Sequence, residues 1–201
     1  MTYPGSVANL GGSMRRWMVA LCTTALFVTI GPSAHGANEV ASGQFTMTTA
    51  RGVLPTWTSA GITIIGIAPA TVTTSRFSTD ATVELPVVAR SRSASATAGG
   101  FRIVNTKTND SVRCLIPTVD TKALVVDCLT SAGYNTALFT IEEIATKQSF
   151  TSSTTRTTIY QGMDMRLTTA GAQLLTRELG ANVFSTSVQV ADGALTLTRA
   201  R

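Results

Sequence analysis

Histidine is nearly absent from this chain: His35 is the only one in 201 residues. Cysteine is almost as scarce, with Cys22, Cys114 and Cys128 alone. These two shortages argue against most zinc sites, Ser-His-Asp triads and Cys-His dyads. Only 13% of the residues are charged and 6% are aromatic. Against this, 44% are hydrophobic, and Thr and Ser fill much of the rest, a balance that argues against intrinsic disorder. Basic residues outnumber acidic ones by 16 to 11, but they are scattered singly, as at Arg51, Arg76, Arg90, Arg92 and Arg102. Nucleic-acid binders cluster such residues on one face, so no nucleic-acid partner is expected.

The N-terminal part has the three parts of a secretory signal. Arg15 and Arg16 precede an apolar run from Met18 to Ile30, and small residues follow at Ala34 and Gly36. Cleavage is expected after Gly36, giving a signal peptide over 1–36 and a single domain over 37–201. The signal reads best from Met14, which is the alternative start. A membrane anchor is the competing reading, but the run is short for the ~20 residues a bilayer needs. Lipidation at Cys22 competes too, but it wants a small preceding residue and Leu21 is large. Losing Arg15 and Arg16 leaves 14 basic against 11 acidic residues, a net charge of +3, and no histidine. No integral membrane span is expected after signal removal.

Two cysteines remain, and an exported chain with one pair most simply forms one disulfide. Residues 111–116 and 124–129 both read as strands. An antiparallel hairpin centred on Thr121 sets Cys114 opposite Cys128, Ile116 opposite Val126 and Val112 opposite Thr130. Opposed residues have Cα atoms ~4.5–5.5 Å apart, within disulfide reach. Buried free thiols or a redox pair are the alternative, without Cys-x-x-Cys spacing.

Most of the mature chain reads as short strands rich in Thr, Val and Ile. They are expected at 44–49, 62–67, 81–88, 101–105, 112–116, 124–129, 137–144, 157–160, 163–167, 183–190 and 194–198. The last two would be joined by a hairpin through Ala191-Asp192-Gly193. Residues 91–98 and 149–155 read as flexible loops or exposed edges. One helix is expected over Thr169–Leu179, capped by Thr168 and closed by Gly180. A shorter turn is expected over Pro55–Ala60, with Pro55 first and Gly61 ending it. The fold class is mainly β: an antiparallel β-sandwich with one late α-helix.

Carboxylates are the only conventional acid/base groups left. Glu142 and Glu143 are the one adjacent pair, and on a strand they point to opposite faces, one exposed and one pairing. No motif marks a serine for a Ser-Lys nucleophile built on Lys107, Lys122 or Lys147. No catalytic residue and no metal ligand is therefore assigned. Tyr134 and Tyr160, each near a glycine, read as loop-edge packing, with a phenolate ligand to a metal or haem as the sharper alternative. Met47, Met163, Met165 and Trp57 read as packing residues.

Several segments together resemble a known family. They are Ala60-Gly61-Ile62-Thr63, Val83-Glu84-Leu85-Pro86-Val87, Thr97-Ala98-Gly99-Gly100-Phe101-Arg102-Ile103, and Met165 through Leu175 with Leu179-Gly180 and Phe184. This layout resembles the HtaA-like, haem-transport-associated domains of secreted and cell-envelope proteins of high-GC Gram-positive bacteria. The resemblance covers roughly Arg51 to Thr198, and the late helix is its most specific part. It implies the family's β fold and a secreted or cell-wall-associated location, while haem ligation does not carry over, because the family's histidine is missing and no histidine follows His35. Where the family carries His before Gly-Gly, this chain carries Thr97. Thr97, Gly99 and Gly100 join Tyr134 and Tyr160 as weak candidate ligand-binding residues. The reading is an exported, non-catalytic module that binds an envelope component or a small hydrophobic ligand, or serves structurally, without a resident cofactor. Haem binding through a tyrosine is the second reading, and a hydrolase the third.

Overall fold

The computed structural model describes residues 41–74, 79–131 and 133–201; the signal segment and the cleavage position lie outside them. Eleven strands and two helices make up these residues. The strands are β1 (Ala41–Thr49), β2 (Ile62–Ile67), β3 (Thr71–Thr74), β4 (Ala81–Ser91), β5 (Ala94–Thr97), β6 (Gly100–Asn105), β7 (Ser111–Asp120), β8 (Val125–Thr130), β9 (Asn135–Thr151), β10 (Thr155–Leu167) and β11 (Gln189–Ala200). The helices are α1 (Val53–Ser59) and α2 (Thr169–Leu179). No described helix is long and apolar enough to cross a membrane.

All pairings are antiparallel. The run β7-β5-β4-β1-β11-β10-β9-β8 closes on itself, because β8 also pairs with β7. The result is a closed, sandwich-like sheet of eight strands, mainly β as the sequence implies. Strands β2 and β6 extend one side of it, and β3 pairs with β4. Closure removes most free edges, which is the usual protection for a chain of short strands.

Alternation along the strands builds the core. Leu85, Phe45 and Leu195 are cross-strand neighbours and fully buried, and Tyr160 continues the row. The next inward row runs Val83, Met47, Gly193 and Met163. Gly193 explains why the expected hairpin at 191–193 is absent. Those residues lie inside β11, paired with β1 on one side and β10 on the other. A Cβ on Gly193 would sit 2.9 Å from Met165 Sδ and 3.0 Å from Met163 Cβ, so the glycine makes room for methionines rather than a turn. Residues 183–188 form the connection instead of a strand.

Other boundaries differ for local reasons. Strand β10 runs unbroken where two strands are expected, with a register shift at Gly162, whose φ is +63°. Residues 91–98 hold β5 rather than an open loop, and Ser95 and Thr97 are fully buried. Helix α1 begins at Val53, so Pro55 stands third rather than first; its missing N–H falls within the first turn, where no intrahelical partner is available. Glu142 and Glu143 are both exposed, since β9 and β10 shift register beside them.

Cys114 and Cys128 are bonded, with Cα atoms 4.9 Å apart. They are not directly opposed. Cys114 pairs with Thr130, and Val119 rather than Ile116 pairs with Val126. Two residues, Ile116 and Pro117, bulge out of β7 opposite Cys128, with Ile116 at φ +46°. This irregularity moves the hairpin centre from Thr121 toward Lys122–Ala123 and brings the cysteines together on a diagonal.

Helix α2 has the expected bounds. Thr168 Oγ1 accepts from the Gly171 N–H at 2.9 Å, and Gly180 ends the helix at φ +62°. Gly171, Ala172, Leu175 and Leu179 face inward, against β9, β7 and β10. Asn105 Nδ2 donates to the Leu179 carbonyl at 2.7 Å, which satisfies one of the open carbonyls at the helix end.

Candidate functional site

A concave feature lies where α1 meets the 180–188 connection. Trp57 projects inward from α1 and is 5% exposed. The ring of Phe184 meets it edge to face, with centroids 5.3 Å apart and planes at 71°. Outside Trp57 is a groove of about 340 Å³ whose walls include Arg51, Val53, Thr56, Val188 and Gln189. Inside it is an apolar cavity of about 30 Å³ bounded by Met47, Val83, Phe101 and Phe139. Trp57 and Val190 line both spaces. On the far side of Phe184 a wider, open groove of about 660 Å³ runs along Ala172, Gln173 and Thr176 of α2.

The groove over Trp57 has an apolar floor and one fixed positive charge at its rim. Val188 is 51% exposed there, and Arg51 is exposed too. An apolar surface with a single convergent charged group suits a small amphipathic anion. Sequence reading singles out Trp57 only as a packing residue, and Arg51 and Val188 not at all. Nothing local marks them, because the antiparallel pairing of β1 with β11 is what brings 51–57 beside 183–190.

The candidates named from sequence are dispersed. Tyr134 is 74% exposed in the turn between β8 and β9, its carbonyl accepting from the Thr130 N–H. Tyr160 is 5% exposed on β10, and Lys147 Nζ lies 5.3 Å from its ring centroid. Lys147, its cross-strand neighbour, is far along β9 from Tyr134, roughly 40 Å of extended chain. The two phenols therefore do not share a small site. Thr97 is fully buried, and its hydroxyl donates to the Pro117 carbonyl at 2.9 Å. Gly99, at φ +75°, carries the chain from β5 into β6. Gly100 lies so close to β7 that any Cβ there would overlap the Cys114 carbonyl. Those three residues hold the junction where β5, β6 and β7 meet.

The acids among the described residues do not converge on a groove either. Glu143, Asp164 and Asp192 are cross-strand neighbours on β9, β10 and β11. Asp164 lies 3.6 Å from the Arg166 guanidinium, and Asp192 accepts from Gln189 Nε2 at 2.7 Å. Neither groove beside Phe184 contains a carboxylate.

No protein-family model matches the sequence, and no curated protein is similar to it in sequence. Among solved structures, the C-terminal domain of HtaA from Corynebacterium glutamicum is similar with a TM-score of 0.50 and 9% identity, over 79% of this chain and 98% of that one. The heme binding protein HtaB from the same organism has a TM-score of 0.47 and 13% identity, over 81% of this chain and 96% of that one. The likeness is one of fold, the fold that the sequence resemblance implies.

Proposed function

We propose that this chain is an exported, non-catalytic binding module of the cell envelope or secretome, and that it takes a small apolar anion in the groove over Trp57. The observation that carries this reading is the groove itself: an apolar floor formed by a buried tryptophan, an apolar cavity behind it, and Arg51 at the rim. The disulfide supports an oxidising compartment. The apolar part of such a ligand would rest on Trp57 and Val188, and its carboxylate or sulfonate would face the Arg51 guanidinium.

Haem, a flat apolar dianion, is the first probe, because ligation by Tyr134 or Tyr160 is the second reading of the sequence. Tyr134 supplies an exposed phenol, whereas Tyr160 lies packed beneath Lys147. Titration of the processed chain with haem, followed by the visible absorbance band, tests ligation directly. A band lost in Tyr134→Phe supports the tyrosine reading. Haem bound without a tyrosine-dependent band, and weakened by Arg51→Gln, supports the groove. Anilinonaphthalene sulfonate, an apolar anion without a metal, separates the groove from iron chemistry. Neither probe binding at micromolar concentration would count against the reading.

A further inference from the structure

Two arginines face each other on the outside of the sheet, away from the groove. Arg102 on β6 and Arg113 on β7 are direct cross-strand partners. Like charges so placed destabilise a sheet unless something lies between them. Neither guanidinium has an ion-pair partner among the described residues, whose salt bridges are Arg166–Asp164 and Arg177–Glu178. Ile65 on β2 completes the same row and is 40% exposed. In the next outward row Gly100 stands between Ile67 and Leu115. Ile65, Gly66, Ile67 and Leu115, with the two arginines, bound an open space of about 270 Å³. Beyond Leu115 the bulged Ile116 is 52% exposed.

We infer that this face docks on anionic phospholipid, the phosphate held between Arg102 and Arg113 and the glycerol and upper acyl region resting on Ile65 and Ile67. Guanidinium forks match phosphate oxygens in paired hydrogen bonds. An open space edged by the exposed Ile65 and the half-buried Ile67 suits a lipid surface better than a free ion, which would leave the apolar edge in water. Basic residues beside exposed apolar ones are the usual pair of signals for interfacial binding. The site shares no residue with the groove over Trp57, so it stands or falls independently of the proposed function.

Co-sedimentation of the processed chain, residues 37–201, with phosphatidylglycerol and phosphatidylcholine vesicles tests the inference. The wild type should prefer phosphatidylglycerol, and R102Q/R113Q should partition on the order of tenfold more weakly. R90Q/R177Q, which removes the same charge elsewhere, should bind as wild type. Ile65→Ser should weaken binding without altering its salt dependence. Equal partitioning of wild type and R102Q/R113Q with both folded by circular dichroism, or no preference for phosphatidylglycerol, overturns the inference. Full binding by Ile65→Ser also overturns it, because the phosphate alone would then be the ligand.

Discussion

Asp120 closes the β7–β8 hairpin by accepting two successive backbone N–H groups, from Lys122 at 2.8 Å and Ala123 at 2.9 Å. The Ala123 hydrogen bond, opposed in part by burial, holds its carboxyl below the ordinary value. A group with a depressed folded value contributes stability above its unfolded value, ~3.9, and loses it as pH falls through the folded one. Asp120→Ala should therefore lower stability at neutral pH by about 0.5–1.5 kcal/mol. The difference from wild type should shrink as pH falls below the carboxylate range. Urea midpoints at neutral and acid pH check both parts. Gly171 makes a different argument. Alanine normally stabilises a helix interior over glycine by about 1 kcal/mol. Here a Cβ would stand 2.5 Å from the Leu138 carbonyl oxygen. Gly171→Ala should therefore destabilise, against its helix propensity, and the denaturation midpoint gives the sign. At this scale the sequence is informative wherever the signal is local. Thr168 and Gly180 mark the ends of α2 because capping depends on a few consecutive residues. Asp192-Gly193 misleads because the same dipeptide serves a turn and a close approach, and only Met163 and Met165, from another strand, decide between them.

Helix α2 is a packed cover. Leu175 and Leu179 are fully buried, while Gln173, Arg177 and Glu178 face water. Leu175→Ala should cost about 2–5 kcal/mol. An unchanged chemical-denaturation midpoint would show that the helix is not packed in this way. The β7–β8 hairpin is the second element with a measurable consequence. Its disulfide closes a loop with a sequence separation of 14. Constraining a loop of that size stabilises by about 3 kcal/mol in the chain-entropy model. Reduction, or Cys114→Ser with Cys128→Ser, should lower the denaturation midpoint accordingly, and an unchanged midpoint under reducing conditions would refute it. The pairing of these cysteines is legible because they are the only two outside the expected signal segment. Their register is not, because Ile116 adopts a left-handed φ that no β-branched residue advertises in sequence.

At the scale of the whole molecule, the strand pattern implies a mainly antiparallel β fold, and the ring closure through β7 and β8 is what that pattern leaves unspecified. The candidate site was legible only in its packing role at Trp57. Its walls come from 51–57 and 183–190, segments that meet only because β1 and β11 pair along their length. Tyr134 and Tyr160 stand out in sequence as tyrosines near glycines, and Thr97, Gly99 and Gly100 through the family resemblance; the fold keeps those three together at the β5–β6–β7 junction and sets the two tyrosines apart from each other. The central claim is that the groove over Trp57 takes an apolar anion. In a chain of residues 37–201 Trp57 is the sole tryptophan, so its fluorescence reports from the wall between this groove and the cavity behind it, and variants of the groove's rim localise the signal. Titration with anilinonaphthalene sulfonate, reading energy transfer from Trp57, is the most direct test. The account predicts saturable quenching of Trp57 that weakens several-fold in Arg51→Gln and in Val188→Glu, with the denaturation midpoint unchanged. Trp57 emission that does not respond to the probe, or that responds in both variants as in the wild type, would contradict it.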